Sequence, residues 1–253
     1  MSTWCRLAAS QNYLPYTSSR ILVVTATNDA HSPGATGVIK SFFLNSKLIA
    51  DFLVLAKDLR ASNRKMLSKL PRTTVYDLRT HNAPDHPITW ILELFYQVDL
   101  QNYDYIFYVD TDIMVRKELV TFVHAFSSYE DDVCVIDHKK SWHTEWFHKC
   151  NHNFNSGFIV FKNSFFGSDT HQKLKSGIQR DQPKNDEKYL RSFFNNQDLL
   201  YAPTKYNARI IWLNREALKN DDIYVIHFIG QENKPWLKNQ TRWESEWHKI
   251  FNW

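Results

Sequence analysis

The chain has 253 residues, a formal net charge of +4, 43% hydrophobic residues and 23% charged residues. That balance supports an ordinary folded core, in one large α/β domain rather than two small ones. It argues against nucleic-acid binding, because the basic residues are scattered among acidic ones without a long Lys/Arg run. No apolar run approaches the length of a membrane span.

Residues 1–20 read as an N-terminal extension, and residues 21–253 as the folded domain. Met1 to Arg20 carries no apolar core of a signal peptide. Cys5, Cys134 and Cys150 are widely spaced and match no metal-ligand pattern, so a reduced, cytoplasmic setting is the simpler expectation. In that setting the sequon Asn239-Gln240-Thr241 stays unused. Aromatic residues reach 15%, which core packing explains more readily than sugar stacking.

The segment Ile21 to Thr27 is an apolar, β-branched run and predicts a buried strand. Pro33 and Gly34 punctuate it, with a helix expected from there to about Leu48. Asp51 to Ala56 predicts a second strand, Ser62 to Lys69 a helix, and Thr73 to Leu78 a third strand. Ile88 to Leu100 has helical apolar spacing. Tyr105 to Val109 is a very hydrophobic strand. Val133 to Ile136 and Gly157 to Phe161 are further strands, Ser164 to Ile178 a helix, Ile223 to Phe228 a late strand, and Arg242 to Phe251 a final helix. Strands alternating with helices predict a mainly parallel sheet flanked by helices, with ligands at the carboxyl ends of the strands.

Two segments at strand ends carry candidate chemistry. Tyr105 to Val109 runs straight into Asp110-Thr111-Asp112. Alternate residues of an extended segment project to one side, so the two carboxylates can converge on a hard cation such as Mg²⁺ or Mn²⁺. Such an ion would neutralise charge growing on a diphosphate leaving group. An isolated Asp-x-Asp more often marks a strand-ending turn; the hydrophobic strand before it raises its weight. The second segment is Ile226-His227-Phe228-Ile229-Gly230, followed by Lys234-Pro235-Trp236. His227 offers an imidazole as a third ligand, Gly230 allows close backbone approach to a phosphate, and Lys234 supplies a cation. Taken singly, a core histidine and a solvated lysine are the plainer readings.

Together these blocks resemble glycosyltransferase family 8, the family of glycogenin and the bacterial lipopolysaccharide galactosyltransferases. Thr25-Ala26-Thr27-Asn28-Asp29-Ala30-His31, Tyr108-Val109-Asp110-Thr111-Asp112, Phe154-Asn155-Ser156-Gly157-Phe158 and the block from His227 to Trp236 stand in the family's order. The resemblance implies a GT-A fold, a UDP-sugar donor, Mn²⁺ and retention of anomeric configuration. It places Asp110, Asp112 and His227 on the metal, and Thr25, Thr27, Asn28 and His31 along the uridine. Asp110 and Thr111 also lie against the nucleotide, Asn155 and Ser156 approach the donor sugar, and Gly230 and Lys234 contact the diphosphate. It implies an acceptor that is a glycan, protein or small molecule. A homodimer is among the states left open.

The chain departs from the family's pattern in places. Asn195-Asn196-Gln197-Asp198-Leu199-Leu200 matches the family's Asp-Gln block with Asn196 in place of Asp. This puts Asn196, Gln197 and Asp198 at the reacting sugar, where Asn cannot act as an anionic nucleophile or base. Trp90 to Phe95 lacks the Lys that the family tends to carry there. His31 stands where an aromatic Tyr is frequent. The stretch Tyr206 to Trp212 has no Tyr at the place of glycogenin's self-modified residue, which counts against faithful self-priming. The expected activity is transfer of a hexose, glucose or galactose, from a UDP-sugar to a hydroxyl. Two alternatives are a nucleotide-sugar-binding protein with little turnover and, more remotely, a nucleotidyltransferase. The last is disfavoured because only Gly34 and Gly37 follow the first strand.

Overall fold

The computed structural model describes residues 19–78, 87–96, 99–137, 147–150, 154–195, 199–213, 222–238 and 241–252. Its centre is strand β1 (Ile21–Thr27), all seven residues of which are buried. Alternation along the strand sends Ile21 and Val23 into one apolar layer and Leu22, Val24 and Ala26 into the other. A strand covered on both faces has no use for a polar alternate, which is why this segment reads as a continuous apolar run.

Beside β1 lie β2 (Ala50–Ala56), β3 (Thr73–Asp77) and β4 (Tyr105–Val109). The order across the sheet is β3-β2-β1-β4, and all three pairings are parallel. The chain steps outward from β1 through β2 to β3, then returns to the opposite side of β1 as β4. The carboxyl ends of β1 and β4 therefore flank the point where the winding reverses, the place where open α/β sheets bind ligands. The sheet continues through β8 (Phe154–Lys162), β6 (Val133–Asp137), β9 (Leu199–Ala202) and β7 (His148–Cys150). Strand β8 runs antiparallel to both β4 and β6. A small second sheet joins β10 (Ala208–Arg209), β11 (Val225–His227) and β5 (Ile113–Val115).

Helix α1 (Ser32–Asn45) starts before Gly34, earlier than the Pro-Gly punctuation predicts. Pro33 is tolerated because the first-turn N–H has no intrahelical partner to lose. Gly34 and Gly37 stay inside the helix because neighbours lie where their Cβ atoms would be. At Gly34 these are the Thr111 carbonyl oxygen and the Trp236 ring, both at 2.5 Å; at Gly37 it is the Trp247 indole nitrogen at 2.3 Å. Helix α1 is thus pressed against the Asp110–Asp112 turn on one side and the C-terminal helix α7 (Arg242–Asn252) on the other.

Other differences from the expected elements are local. The helix predicted over 88–100 is a 3₁₀ helix at Pro87–Tyr96, followed by another at Asp99–Asn102. The helix predicted over 164–178 divides into a 3₁₀ turn at Asn163–Phe165 and α4 (Asp169–Asp181), capped by the Ser168 hydroxyl. The strand expected from Gly157 begins earlier, at Phe154. Helices α2 (Ala61–Leu67) and α7 fall where expected; α3 (Val120–Ser127), α5 (Asp186–Phe194) and the short α6 (Ile210–Leu213) were not legible. Cys134 is buried in β6, and burial pushes its thiol well above the ordinary range. Cys5 and residues 196–198 lie outside the described residues. Among the described residues no helix is long and apolar enough to cross a membrane.

Candidate active site

Strand β4 delivers Asp110 at its carboxyl end, held by a 2.9 Å backbone bond from its N–H to the Gly157 carbonyl on β8. The chain then turns through Thr111 and Asp112 into β5. Strand β11 pairs antiparallel with β5 so that His227 stands opposite Ile113, and the Phe228 N–H donates to the Asp112 carbonyl at 2.8 Å. A residue more than a hundred positions away is thereby registered beside the acidic pair by backbone hydrogen bonds.

The His227 Nε2 atom lies 3.2 Å from Asp112 Oδ1 and 3.7 Å from Asp110 Oδ2. One ligand atom from each of the three residues falls within 4.8 Å of the others. Two ligands on opposite sides of a small divalent cation stand about 4.2 Å apart, given bonds of about 2.1 Å. Closing by a few tenths of an ångström per side chain would hold such an ion. Two carboxylates and one imidazole are a hard-to-intermediate donor set that suits Mn²⁺ or Mg²⁺. The residues present therefore fit a divalent metal.

The electrostatics point the same way. Burial, and then the charge of Asp112, push the Asp110 carboxyl up to about 6. Against the opposing effect of burial, His227 and Lys234 hold Asp112 below the usual carboxylate range. The Lys234 ammonium is ion-paired with Asp112 Oδ2 at 2.5 Å. The Tyr108 hydroxyl donates to Asp110 Oδ1 at 3.1 Å. Negative charge is concentrated here and partly offset by one movable cation.

On the far side of the triad lies the β8 segment. Asn155 and Ser156 are buried, and the Asn155 amide donates to Glu187 Oε2 at 2.6 Å. Glu187 follows Asp186 at the start of α5, whose N-cap is Asn185. Asp186 is buried; burial, and then the charge of Asp110, push its carboxyl up to about 8. These two carboxyl groups are the site residues that sequence reasoning missed. The available signal was the N-cap pattern Asn185-Asp186-Glu187 ahead of the amphipathic run Tyr189 to Phe194. Asn196, Gln197 and Asp198 lie outside the described residues, in a stretch that begins two positions beyond the end of α5.

The expected nucleotide-facing residues gather at the end of β1. Thr25 and Thr27 are buried, and the Thr25 hydroxyl has no hydrogen-bond partner among the described residues. Asn28 Oδ1 accepts the His31 N–H at 3.0 Å. The His31 ring meets Trp236 edge-on at 5.9 Å, which ties the end of β1 to the Lys234-Pro235-Trp236 block. Gly230 has φ +94°, a conformation that side chains rarely adopt. Thr111 is buried between the two aspartates.

A mainly parallel, helix-flanked sheet with an acidic pair at its switch point is the arrangement of the GT-A fold. The chain belongs to glycosyl transferase family 8, whose model matches residues 5–240. Members of this family use nucleotide-sugar donors and a divalent metal. The fold is shared with the galactosyltransferase LgtC, solved with donor and acceptor sugar analogs, at TM-score 0.68 and 17% identity over 91% of this chain and 95% of that one. The glycosyltransferase GlyE of Streptococcus pneumoniae aligns at TM-score 0.66 and 19% identity, over 92% of this chain and 60% of that one. Mouse xyloside xylosyltransferase 1 aligns at TM-score 0.54 and 9% identity, over 85% of this chain and 99% of that one. The comparison with curated protein sequences finds no match.

Proposed function

We propose that this glycosyltransferase moves a hexose, glucose or galactose, from a UDP-sugar to an acceptor hydroxyl with retention of configuration, and that it depends on Mn²⁺ or Mg²⁺. The observation that carries this is the convergence of Asp110, Asp112 and His227 beside Lys234 at the sheet's switch point. Asp110, Asp112 and His227 hold the metal, which supplies charge neutralisation for the departing diphosphate. Lys234 leaves Asp112 for a diphosphate oxygen, and Gly230 lets the backbone approach it. Thr25, Thr27, Asn28 and His31 line the uridine, with Thr111 near the phosphates. Asn155 and Ser156 face the donor sugar.

In the reaction the bond from the anomeric carbon to UDP breaks with its electron pair leaving on UDP, a bond from that carbon to the acceptor oxygen forms, and the acceptor's hydroxyl proton passes to the departing UDP. We assign a role beside the reacting sugar to the carboxyl groups of Asp186 and Glu187, because they adjoin Asp110, Asn155 and Ser156. The binding-protein alternative, motivated by Asn196 in place of an acid and by the missing Lys in Trp90 to Phe95, is separated from this reading by a panel of UDP-sugar donors.

The test is UDP release from a panel of UDP-sugars with Mn²⁺ and with EDTA, reading intact protein mass in the same samples. Mn²⁺-dependent release from one donor is expected and would name the sugar; an added mass would reveal self-modification. UDP binding without release from any donor, with acceptors supplied, would overturn the transferase reading.

A further inference from the structure

His227 faces two acceptors. Nδ1 lies 3.0 Å from Asn207 Oδ1, and Nε2 lies 3.2 Å from Asp112 Oδ1. A neutral imidazole carries one proton, so which side takes it decides whether Nε2 has a lone pair for a metal. The structure contains a device that settles this from a distance. The Gly157 backbone N–H can only donate, and it donates to Asn155 Oδ1 at 3.0 Å. That fixes which end of the Asn155 amide is oxygen. Asn155 Oδ1 also accepts from Asn207 Nδ2 at 3.3 Å. Asn207 is therefore fixed in turn, with its Oδ1 toward His227, able only to accept. At the other end the Asn155 amide nitrogen donates to Glu187 Oε2, a carboxylate that also accepts from the Ser156 N–H at 3.3 Å and pairs with Arg191 at 2.8 Å. Asn155, Asn207 and His227 are all buried, so water does not readily supply alternative partners.

We infer that Asn207 is a positioning residue that keeps the proton of His227 on Nδ1 and so presents Nε2 to the metal, with its own orientation set through Asn155 by the Gly157 backbone. This rests on the metal reading given above for its purpose, but not for its geometry. It deepens that reading by making the third ligand's competence depend on Asn207, a residue given no part in holding metal or donor. Partners of this kind, one step behind a ligand, typically carry a factor of about 10–100 in metal affinity.

The experiment pairs Mn²⁺ titration with ¹⁵N NMR of the histidine rings in metal-free protein at pH 8, for the wild type, Asn207→Leu and Asn207→Asp. His227 is assigned among the 11 histidines by its loss in His227→Asn. The wild type is expected to show His227 protonated at Nδ1. Asn207→Leu should transfer the proton to Nε2, drawn by Asp112, and weaken Mn²⁺ about tenfold or more. Asn207→Asp keeps an acceptor at Nδ1 and should restore both the Nδ1 proton and Mn²⁺ affinity, to within about threefold. A wild-type ring unprotonated at Nδ1 would overturn the inference, as would Asn207→Leu with Nδ1 protonation and affinity unchanged. If Asn207→Leu does not fold, the wild-type spectrum and Asn207→Asp still decide. A wild type that binds no Mn²⁺ would sink the metal reading, and its metal-free spectrum would still judge the tautomer.

Discussion

Gly157 and His227 are packed so closely that a Cβ on Gly157 would stand 2.3 Å from His227 Cε1 and 2.7 Å from Asp110 Oδ2. Neither neighbour is the loose end of a flexible chain: one is a buried ring and the other a carboxylate on the turn after β4. Gly157→Ala should therefore displace the metal ligands while costing the fold about 1–3 kcal/mol, the usual range for overpacking. Calorimetric Mn²⁺ titration and a thermal melt on the same sample check this. Retained Mn²⁺ affinity would mean that the ring moves freely, against the packing described.

Lys234 and a divalent cation compete for Asp112. Removing the lysine frees Asp112 Oδ2 from its 2.5 Å ion pair. Lys234→Ala should leave Mn²⁺ affinity unchanged or tighter, and should weaken UDP about tenfold, in keeping with one charge-assisted bond. UMP, which lacks the second phosphate, should be affected less. Equal losses for UDP and UMP would place the lysine away from the diphosphate.

The two candidate acidic blocks predict different mutants. Asp186→Asn should cut turnover by about 100-fold, within the range of a positioned acid–base or electrostatic group, with KM changed little. Asn196→Asp should leave turnover within about threefold, since Asp186 already supplies a carboxyl group. A large gain from Asn196→Asp would favour Asn196, Gln197 and Asp198 as the reacting centre, and with them the low-turnover alternative.

Glu187 accepts from Asn155 and pairs with Arg191. Glu187→Ala leaves the buried Asn155 amide without its acceptor and Arg191 without its ion-pair partner, at a cost of about 1–3 kcal/mol. Glu187→Gln retains one acceptor oxygen and should recover much of that stability. Urea denaturation of both variants checks the order; equal stabilities would show that the bonds to Glu187 contribute nothing net.

His171 gives the fold a pH dependence away from the site. Its ring is buried: the Nε2 faces the Phe95 carbonyl at 2.9 Å, and Nδ1 accepts from the Gly167 N–H at 3.0 Å. Burial holds its pKa below the ordinary histidine value of 6.5. The unfolded chain thus binds this proton more readily, so the stability contributed is present above about pH 6.5 and is lost as pH falls from there toward the folded value. Between about pH 7.5 and 5.5 the wild type should lose more in Tm than His171→Gln. Parallel pH profiles would rule His171 out as the source.

The strands of the parallel half were legible because burial on both faces leaves continuous apolar runs such as Ile21 to Thr27 and Tyr105 to Val109. Asp110-Thr111-Asp112 was legible for the same reason, since a polar triplet stands out at the end of such a strand. His227 and Lys234 were readable through the family's order of blocks. The pairing of β11 with β5 that registers His227 beside Asp112 is non-local, and no window of sequence contains it. Asp186 and Glu187 stayed hidden because an acidic pair at a helix N-terminus is also what any capped helix carries. Only the packing of α5 across β8, which puts Glu187 against Asn155, distinguishes the two. Residue types and strand ends were settled by local chemistry in the sequence. Which buried donor meets which acceptor, from the Gly157 N–H through Asn155 and Asn207 to His227, was decided only in the tertiary structure, because each bond joins segments whose proximity is a product of the whole sheet.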